Sequence, residues 1–428
     1  MFFKNKVFKN TFFKNRYCRN HLLQNKIYNE KTNKRAAAFL AVLSVCLLFF
    51  PSCRTSSNSQ PVANSNNDTV IYTSIKTAPQ SEISVSAESA ILIEASSGEI
   101  IWQKNAESKH SMASTTKIMT ALVALENCEL DRMVKVSPDA VGVEGSSIYL
   151  YAGETLSMEN LLYALLLSSA NDAAAAIAIE VGGSIEAFAG LMNQKADELN
   201  LECTHFSNPH GLDDPEHYTT AKDLAKIAMA AMQNETFRQI VSTYKKTIPH
   251  DQTDGVRLLL NHNKLLKNYE GAIGIKTGFT KKSGRCLVSA ATRDGLELIA
   301  VTINAPDDWN DHKEMLDFGF SGYECKTLCT QNELKFNIPV VGGYNNYVIA
   351  TNRETIKIIV PRNSTPVKTV TECPKFLYAP ARQGDQTGSV IYYFNGIEIG
   401  RSNLIIVNGT EKTSNKRSLA EILGIKKQ

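Results

Sequence analysis

The 428-residue chain sets 46 Lys+Arg against 43 Asp+Glu, for a formal net charge of +3. Residues 1–35 hold ten Lys/Arg and one Glu, a local +9, so everything after them carries 3 − 9 = −6. The pI of about 8.2 therefore describes the leader, and the charge balance gives no support for nucleic-acid binding. Ala36 to Phe50 follows as an apolar run of 15 residues, the size of the hydrophobic stretch of a secretory signal and short for a membrane span. An exported protein is expected, residues 1–53 forming a basic leader and signal or anchor segment. Cleavage is placed after Ser52; Phe50-Pro51-Ser52-Cys53 fits a lipoprotein site badly, and an uncleaved anchor stays open. Residues 54–81, rich in Ser, Asn, Thr and Gln, read as a flexible linker.

A first folded domain is expected over 82–328, opening with a hairpin of Ala90 to Glu94 and Glu99 to Gln103. From Ser114 onward, Ile118, Met119, Leu122, Val123 and Leu125 have the spacing of a buried amphipathic helix. Ser114 then sits at the helix start, with Lys117 one turn later on the same face. Two more helical stretches, Met158 to Leu167 and the alanine-rich Asp172 to Val181, flank Ser169-Ala170-Asn171, whose polar side chains can point into a cleft. Lys276-Thr277-Gly278 follows the apolar Ala272 to Ile275 and precedes a second hairpin, Cys286 to Thr292 and Leu296 to Asn304. Those three residues are expected on or beside an edge strand, with Gly278 letting another backbone approach closely. Sheet and helices together give an α/β domain. Past Cys329 the pattern changes to short β-rich runs, Lys335 to Val341, Tyr347 to Ala350, Thr355 to Val360, Ser389 to Phe394 and Ile397 to Ile399. They are expected to form a small all-β domain of sandwich type over 330–410. The basic tail 411–428 places Leu419, Ile422 and Leu423 on one face of a short amphipathic helix. Of nine cysteines, six lie beyond the leader and cleavage region without regular spacing. A domain this large needs no disulfide scaffold, and free buried thiols are expected.

Three motifs carry chemistry in a fixed order: Ser114-Thr115-Thr116-Lys117, Ser169-Ala170-Asn171 and Lys276-Thr277-Gly278. Singly, each has a bland reading as a helix cap, a Ser/Asn cap or a surface turn. Together they are the parts of a serine acyl-enzyme in which a lysine replaces histidine. A serine hydroxyl is a poor nucleophile until a base takes its proton, and Lys117 can do so only when neutral. Burial, a second cation at Lys276 and the positive end of the Ser114 helix each disfavour the ammonium form. Ser169 is then expected to relay the proton to the leaving amine, and Asn171 to bind substrate backbone or orient Lys117. Lys276 would offer positive charge to the scissile region and a substrate carboxylate.

The stretches Ala113 to Thr120, Ser207 to Asp213, His217 to Ala221, Asn261 to Leu266 and Gly274 to Gly278 resemble the serine-type D-alanyl-D-alanine carboxypeptidases. These are the low-molecular-mass penicillin-binding proteins, of peptidase family S11 type. The resemblance covers Ser86 to Tyr323 and, more loosely, Leu334 to Val407. It implies a β-lactamase/penicillin-binding-protein-like catalytic domain, removal of the terminal D-Ala from peptidoglycan stem pentapeptides, covalent capture by β-lactam antibiotics, and no cofactor. It further implies an oxyanion hole from the backbone N–H groups of Ser114 and Phe279, a contact of Thr277 with the terminal carboxylate, and a C-terminal helix resting on the membrane surface. The site of action would be the extracytoplasmic face of the cell membrane and the wall. One position departs: His262 stands where some members carry an arginine that holds the substrate carboxylate. Imidazole and guanidinium are not equivalent, so recognition would rest more on Lys276, Thr277 or Arg285, with His262 either a binding or a structural residue. No E-x-x-L-N follows Asn171, which counts against a β-lactamase with a downstream deacylating glutamate. A D,D-endopeptidase, a β-lactamase and a non-catalytic wall-binding protein stay open as alternatives. His205, His210 and His217 beside Asp213 and Asp214 lack any zinc-type spacing, and no metal is expected.

Overall fold

The computed structural model describes residues 62–63, 69–74, 83–250 and 255–413. The leader, the apolar run and the expected tail helix beyond 413 lie outside the described residues.

One five-stranded antiparallel sheet organises the first domain, in the edge-to-edge order Ile100–Lys104, Ser89–Glu94, Leu296–Ile303, Gly284–Arg293 and Ala272–Thr280. Every residue of Ser89–Glu94 is buried, because both faces of the sheet are covered. Ile91 and Ile93 enter a core shared with the helices, whereas Ala90 and Leu92 enter a second core on the opposite face. The same period of two places Ile299 and Val301 on one side and Leu298 and Ala300 on the other. The first face is covered by Lys117–Asn127, Met158–Leu167, Asn171–Gly182, Ile185–Glu198, Ala221–Met232 and Glu235–Ser242. Four of the six starts are fixed by side-chain caps, Ser157, Ser184, Thr220 and Asn234 each accepting a backbone N–H of the first turn, whereas Lys117–Asn127 and Asn171–Gly182 have none. The opposite face is covered by Asp308–Gly322.

That last helix carries a buried polar pin. His312 lies 2.5 Å from Ser289 Oγ and 2.9 Å from Thr302 Oγ1, both on the sheet. Burial pushes its imidazole down to about 3, and likewise that of His210 to about 3 and of His217 to about 4. Folded chains therefore bind fewer protons than unfolded ones between those values and the ordinary histidine range. Stability should fall as pH is lowered through that window, by at most about 1.4 kcal/mol per pH unit for each histidine. Denaturant unfolding of the wild type between neutral and mildly acidic pH checks this; a flat profile would contradict it.

The second domain contains a six-stranded sheet and a four-stranded sheet. Val348, Ala350 and Leu404 of the first share one core with Ile356, Ile358 and Val360 of the second, which is a sandwich arrangement. The four-stranded sheet runs Val62–Ala63, Thr69–Ser74, Thr355–Pro361, Tyr323–Cys329. Two findings differ from the sequence reading. Segment 54–81, expected to be a flexible linker, contributes two strands, and Thr69–Ser74 pairs in parallel with Thr355–Pro361. Its Thr-Val-Ile-Tyr-Thr run has the β-branched and aromatic composition of a strand, which the polar flanks mask. The second domain's pairing also begins at Tyr323, since Tyr323–Cys329 pairs with Thr355–Pro361, ahead of the expected start at 330. All six cysteines of the described residues are free; Cys286 and Cys329 are buried and the others half-buried.

Candidate active site

The nucleophile candidate sits on a 3-10 turn, Ala113–Thr116, which runs directly into the helix Lys117–Asn127. Lys117 is fully buried, and its Nζ meets three oxygens: Ser114 Oγ at 2.9 Å, Asn171 Oδ1 at 2.6 Å and the His210 carbonyl at 2.6 Å. Burial holds this amine well below the ordinary lysine range, the nearby Lys276 charge pushes the same way, and Asp172 opposes them. A neutral amine has two N–H bonds and one lone pair. With Asn171 and the His210 carbonyl accepting the two N–H bonds, the lone pair is left for the Ser114 hydroxyl.

Asn171 opens the helix Asn171–Gly182. Its Nδ2 donates to the Glu144 carbonyl, which turns Oδ1 toward Lys117. A Cβ at Gly145 would stand 2.7 Å from that Nδ2, so the loop can approach only because the residue is glycine. Next door, Asp172 accepts from Ser147 Oγ at 2.6 Å and from the Leu150 N–H at 2.9 Å, tying loop and helix together. Ser169 is buried and takes a left-handed backbone, φ 57°, uncommon for a side-chain-bearing residue. Its hydroxyl makes no hydrogen bond to Lys117 or Lys276.

Lys276, Thr277 and Gly278 lie on the edge strand Ala272–Thr280, as the sequence predicts. A Cβ at Gly278 would lie 3.1 Å from the backbone nitrogens of both Ser114 and Thr115, so this strand runs hard against the nucleophile turn. Lys276 is 1% exposed, and burial brings its ammonium down to about 7. Its Nζ donates to the Thr277 carbonyl at 2.9 Å. Thr277 is half-buried, and the Phe279 side chain is 64% exposed. His262, between Asn261 and Asn263, is exposed at its surface but partly enclosed on the cleft side, and this partial desolvation, followed by the Lys276 charge, lowers its imidazole. Arg285, an expected alternative for carboxylate recognition, is committed elsewhere: Nε and Nη2 hold the Asp308 carboxylate at 2.9 and 3.0 Å.

Segment 207–217 has a chemical part that its residue types do not announce. Its His210 carbonyl binds Lys117, its Pro209 carbonyl accepts from Thr120 Oγ1 at 2.6 Å, and Gly211 packs against the Ala113 carbonyl. A carbonyl contact leaves no residue-type signature; the available signal was the turn chemistry of Asn208-Pro209-His210-Gly211, where the Gly211 N–H donates to Asn208 Oδ1 at 2.7 Å with φ 88°. Among the described residues no group of three His, Cys, Asp or Glu is placed to hold a metal.

A buried lysine against a serine, at the seam between an all-helical layer and an edge strand carrying Lys-Thr-Gly, defines a serine hydrolase of penicillin-binding architecture. Residues 74–307 match the family model described as D-alanyl-D-alanine carboxypeptidase, and residues 323–412 match that of the penicillin-binding protein 5 C-terminal domain. The chain belongs to the D-alanyl-D-alanine carboxypeptidase family. It is 33% identical over 332 residues to the carboxypeptidase DacF of Bacillus subtilis, covering 75% of this chain and 85% of that one. DacC of Escherichia coli is 32% identical over 349 residues, covering 77% and 85%. Among solved structures, penicillin-binding protein 5 of Haemophilus influenzae superposes with a TM-score of 0.61 at 28% identity, covering 78% of this chain and 100% of that one.

Proposed function

We propose that this enzyme removes the terminal D-Ala from peptidoglycan stem pentapeptides through an acyl-enzyme on Ser114, and that penicillins trap the same intermediate. The observation that carries the reading is the environment of Lys117 Nζ, buried and satisfied so that its lone pair faces Ser114 Oγ. In the first step Ser114 Oγ bonds to the penultimate D-Ala carbonyl carbon while its proton passes to Lys117. The tetrahedral oxyanion is received by the N–H groups of Ser114 and Phe279; the close approach of Gly278 to the Ser114 backbone nitrogen supports that reading. Collapse breaks the C–N bond, and the leaving D-Ala amine takes the proton from Lys117, with Ser169 as relay. Water, deprotonated by the same amine, then cleaves the ester and restores the Ser114 hydroxyl. Lys276 and Thr277 hold the terminal carboxylate. While charged, Lys276 also disfavours a second ammonium at Lys117. The catalytic unit of residues 82–328 works at the extracytoplasmic face of the membrane, with the C-terminal tail against the membrane surface. The apolar run of 15 residues behind the basic leader and the amphipathic pattern of the tail support that placement.

The test measures D-Ala release from a pentapeptide mimic beside cleavage of a crosslinked dimer and turnover of penicillin. D-Ala release should dominate, with penicillin held as a stoichiometric adduct; faster crosslink cleavage or rapid penicillin turnover would give the site to the endopeptidase or β-lactamase reading. The same assay across pH decides His262. Its lowered imidazole is charged only on the acid side of the ordinary range, so a carboxylate-holding role predicts that KM rises as pH rises through that value. His262→Arg would abolish that rise, leaving only the loss of Lys276 charge above about 7. Identical KM profiles in wild type, His262→Arg and His262→Gln would make His262 structural.

A further inference from the structure

The turn that presents Ser114 is held from behind by a chain of hydrogen bonds with only one consistent direction. His217 is 1% exposed; its Nδ1 accepts from the Ser207 backbone N–H at 3.1 Å, which fixes the proton on Nε2. Nε2 lies 2.7 Å from Thr116 Oγ1 and is the donor there, because the single Thr116 hydroxyl proton is spent on the Ala113 carbonyl at 2.7 Å. The Ala113 carbonyl belongs to the peptide that carries the Ser114 nitrogen. Ala113 itself has φ 46°, a left-handed conformation that alanine does not choose unaided, and the residue before the turn offers no side-chain cap. Gly211 closes the other side of this carbonyl, where a Cβ would come within 1.9 Å of it. Phe206 seals the ring edge-on at 5.7 Å.

We propose that His217, acting through Thr116, is a positioning residue that holds the strained Ala113–Ser114 peptide in the geometry acylation needs. Neither side chain touches Ser114 Oγ or Lys117 Nζ, so neither is a catalytic residue. The same short segment thereby sets both partners of the proton transfer: the His210 carbonyl orients the amine, and the His217 ring orients the turn bearing the hydroxyl. Without that hydrogen bond the turn can relax toward the right-handed conformation, moving Ser114 Oγ relative to Lys117 and to the Gly278 strand.

The proposal rests on the acyl-enzyme reading, and the experiment separates the two. Time-resolved acylation by a fluorescent penicillin is measured on full-length wild type, Thr116→Val, His217→Phe, their double variant and His217→Gln. Active-site titration gives the labelled fraction, thermal unfolding gives Tm, and D-Ala release gives kcat and KM apart. Thr116→Val and His217→Phe should each slow acylation roughly 10- to 100-fold, the scale of a small misplacement of reacting atoms, with KM within about twofold and labelling still approaching one per chain. The double variant should be no slower than the slower single variant, since both cut one chain. His217→Gln, which keeps an N–H donor toward Thr116, should recover most of the rate. A folded Thr116→Val acylating at the wild-type rate, additive losses in the double variant, no advantage of glutamine over phenylalanine, or losses confined to Tm and labelled fraction would each overturn the positioning role. Absence of any penicillin adduct in the wild type would instead overturn the acyl-enzyme reading beneath it.

Discussion

Ser114→Ala is expected to leave the protein folded, unlabelled by a fluorescent penicillin, and slower in D-Ala release by roughly 10³- to 10⁶-fold, the range seen when an acyl-enzyme nucleophile is removed. The size follows from how few hydroxyls the base can reach. Lys117 Nζ has one hydroxyl partner, Ser114 Oγ at 2.9 Å; its other partners are an amide oxygen and a backbone carbonyl, neither of which can be deprotonated into a nucleophile. The neighbouring hydroxyls of Thr115 and Thr116 are turned back onto the Met112 and Ala113 carbonyls at 2.6 and 2.7 Å. Ser114 is itself half-buried, and its loss removes a single polar contact from Lys117, so Tm should shift by only a few degrees, ~1 kcal/mol in stability. Gel fluorescence together with a thermal melt reads both quantities. Labelling of the folded variant at the wild-type rate would move the nucleophile elsewhere, Ser169 being the next buried hydroxyl at the site.

The parts of the fold and site that were legible in sequence share a local cause. Both hairpins were visible because apolar runs flank short turns, and the observed strands Ser89–Glu94 and Gly284–Arg293 differ from expectation by no more than two residues at either end. Lys276-Thr277-Gly278 could be placed on or beside an edge strand because it follows the apolar Ala272 to Ile275 and precedes the second hairpin, and a Cβ at Gly278 would stand 3.1 Å from the backbone nitrogens of Ser114 and Thr115. What escaped was set by contacts distant in sequence. Helix Asp308–Gly322 begins with a polar, acidic stretch and buries Met315 and Leu316 only by meeting the far face of the sheet. Strand Thr69–Ser74 lies within a polar stretch, and its partner is almost three hundred residues away. Arg285 reads from sequence as a free cation beside the motif, yet it is neutralised by Asp308, a partner twenty-three residues on that no local pattern reveals. The carbonyls of Glu144 and His210 are invisible for a simpler reason: every residue has one.

Replacing Lys117 by arginine keeps a long basic side chain but supplies a group that does not deprotonate in proteins, so the acylation rate should fall by roughly 10²- to 10⁴-fold, about 3 to 5 kcal/mol in the barrier. The structure adds a reason for expecting the upper part of that range. Lys117 is fully buried, and its three oxygen partners match an amine with two N–H bonds and a lone pair. A guanidinium brings five donors into that space and leaves no lone pair for the Ser114 proton. The pH dependence has a definite sign. Burial and the Lys276 charge hold the Lys117 amine below the ordinary lysine range, so wild-type acylation should rise with pH as the neutral form is populated, and fall as pH drops through that lowered value. The arginine variant has no neutral form to populate and should stay slow and flat over the same range. Stopped-flow acylation at several pH values, normalised to the folded fraction from a thermal melt, separates lost chemistry from lost stability, because a permanent charge in this pocket also destabilises the fold. A folded Lys117→Arg protein that acylates at the wild-type rate, with the wild-type pH profile, would make Lys117 structural and leave Lys276, whose ammonium is brought down to about 7, as the remaining buried amine able to take the Ser114 proton.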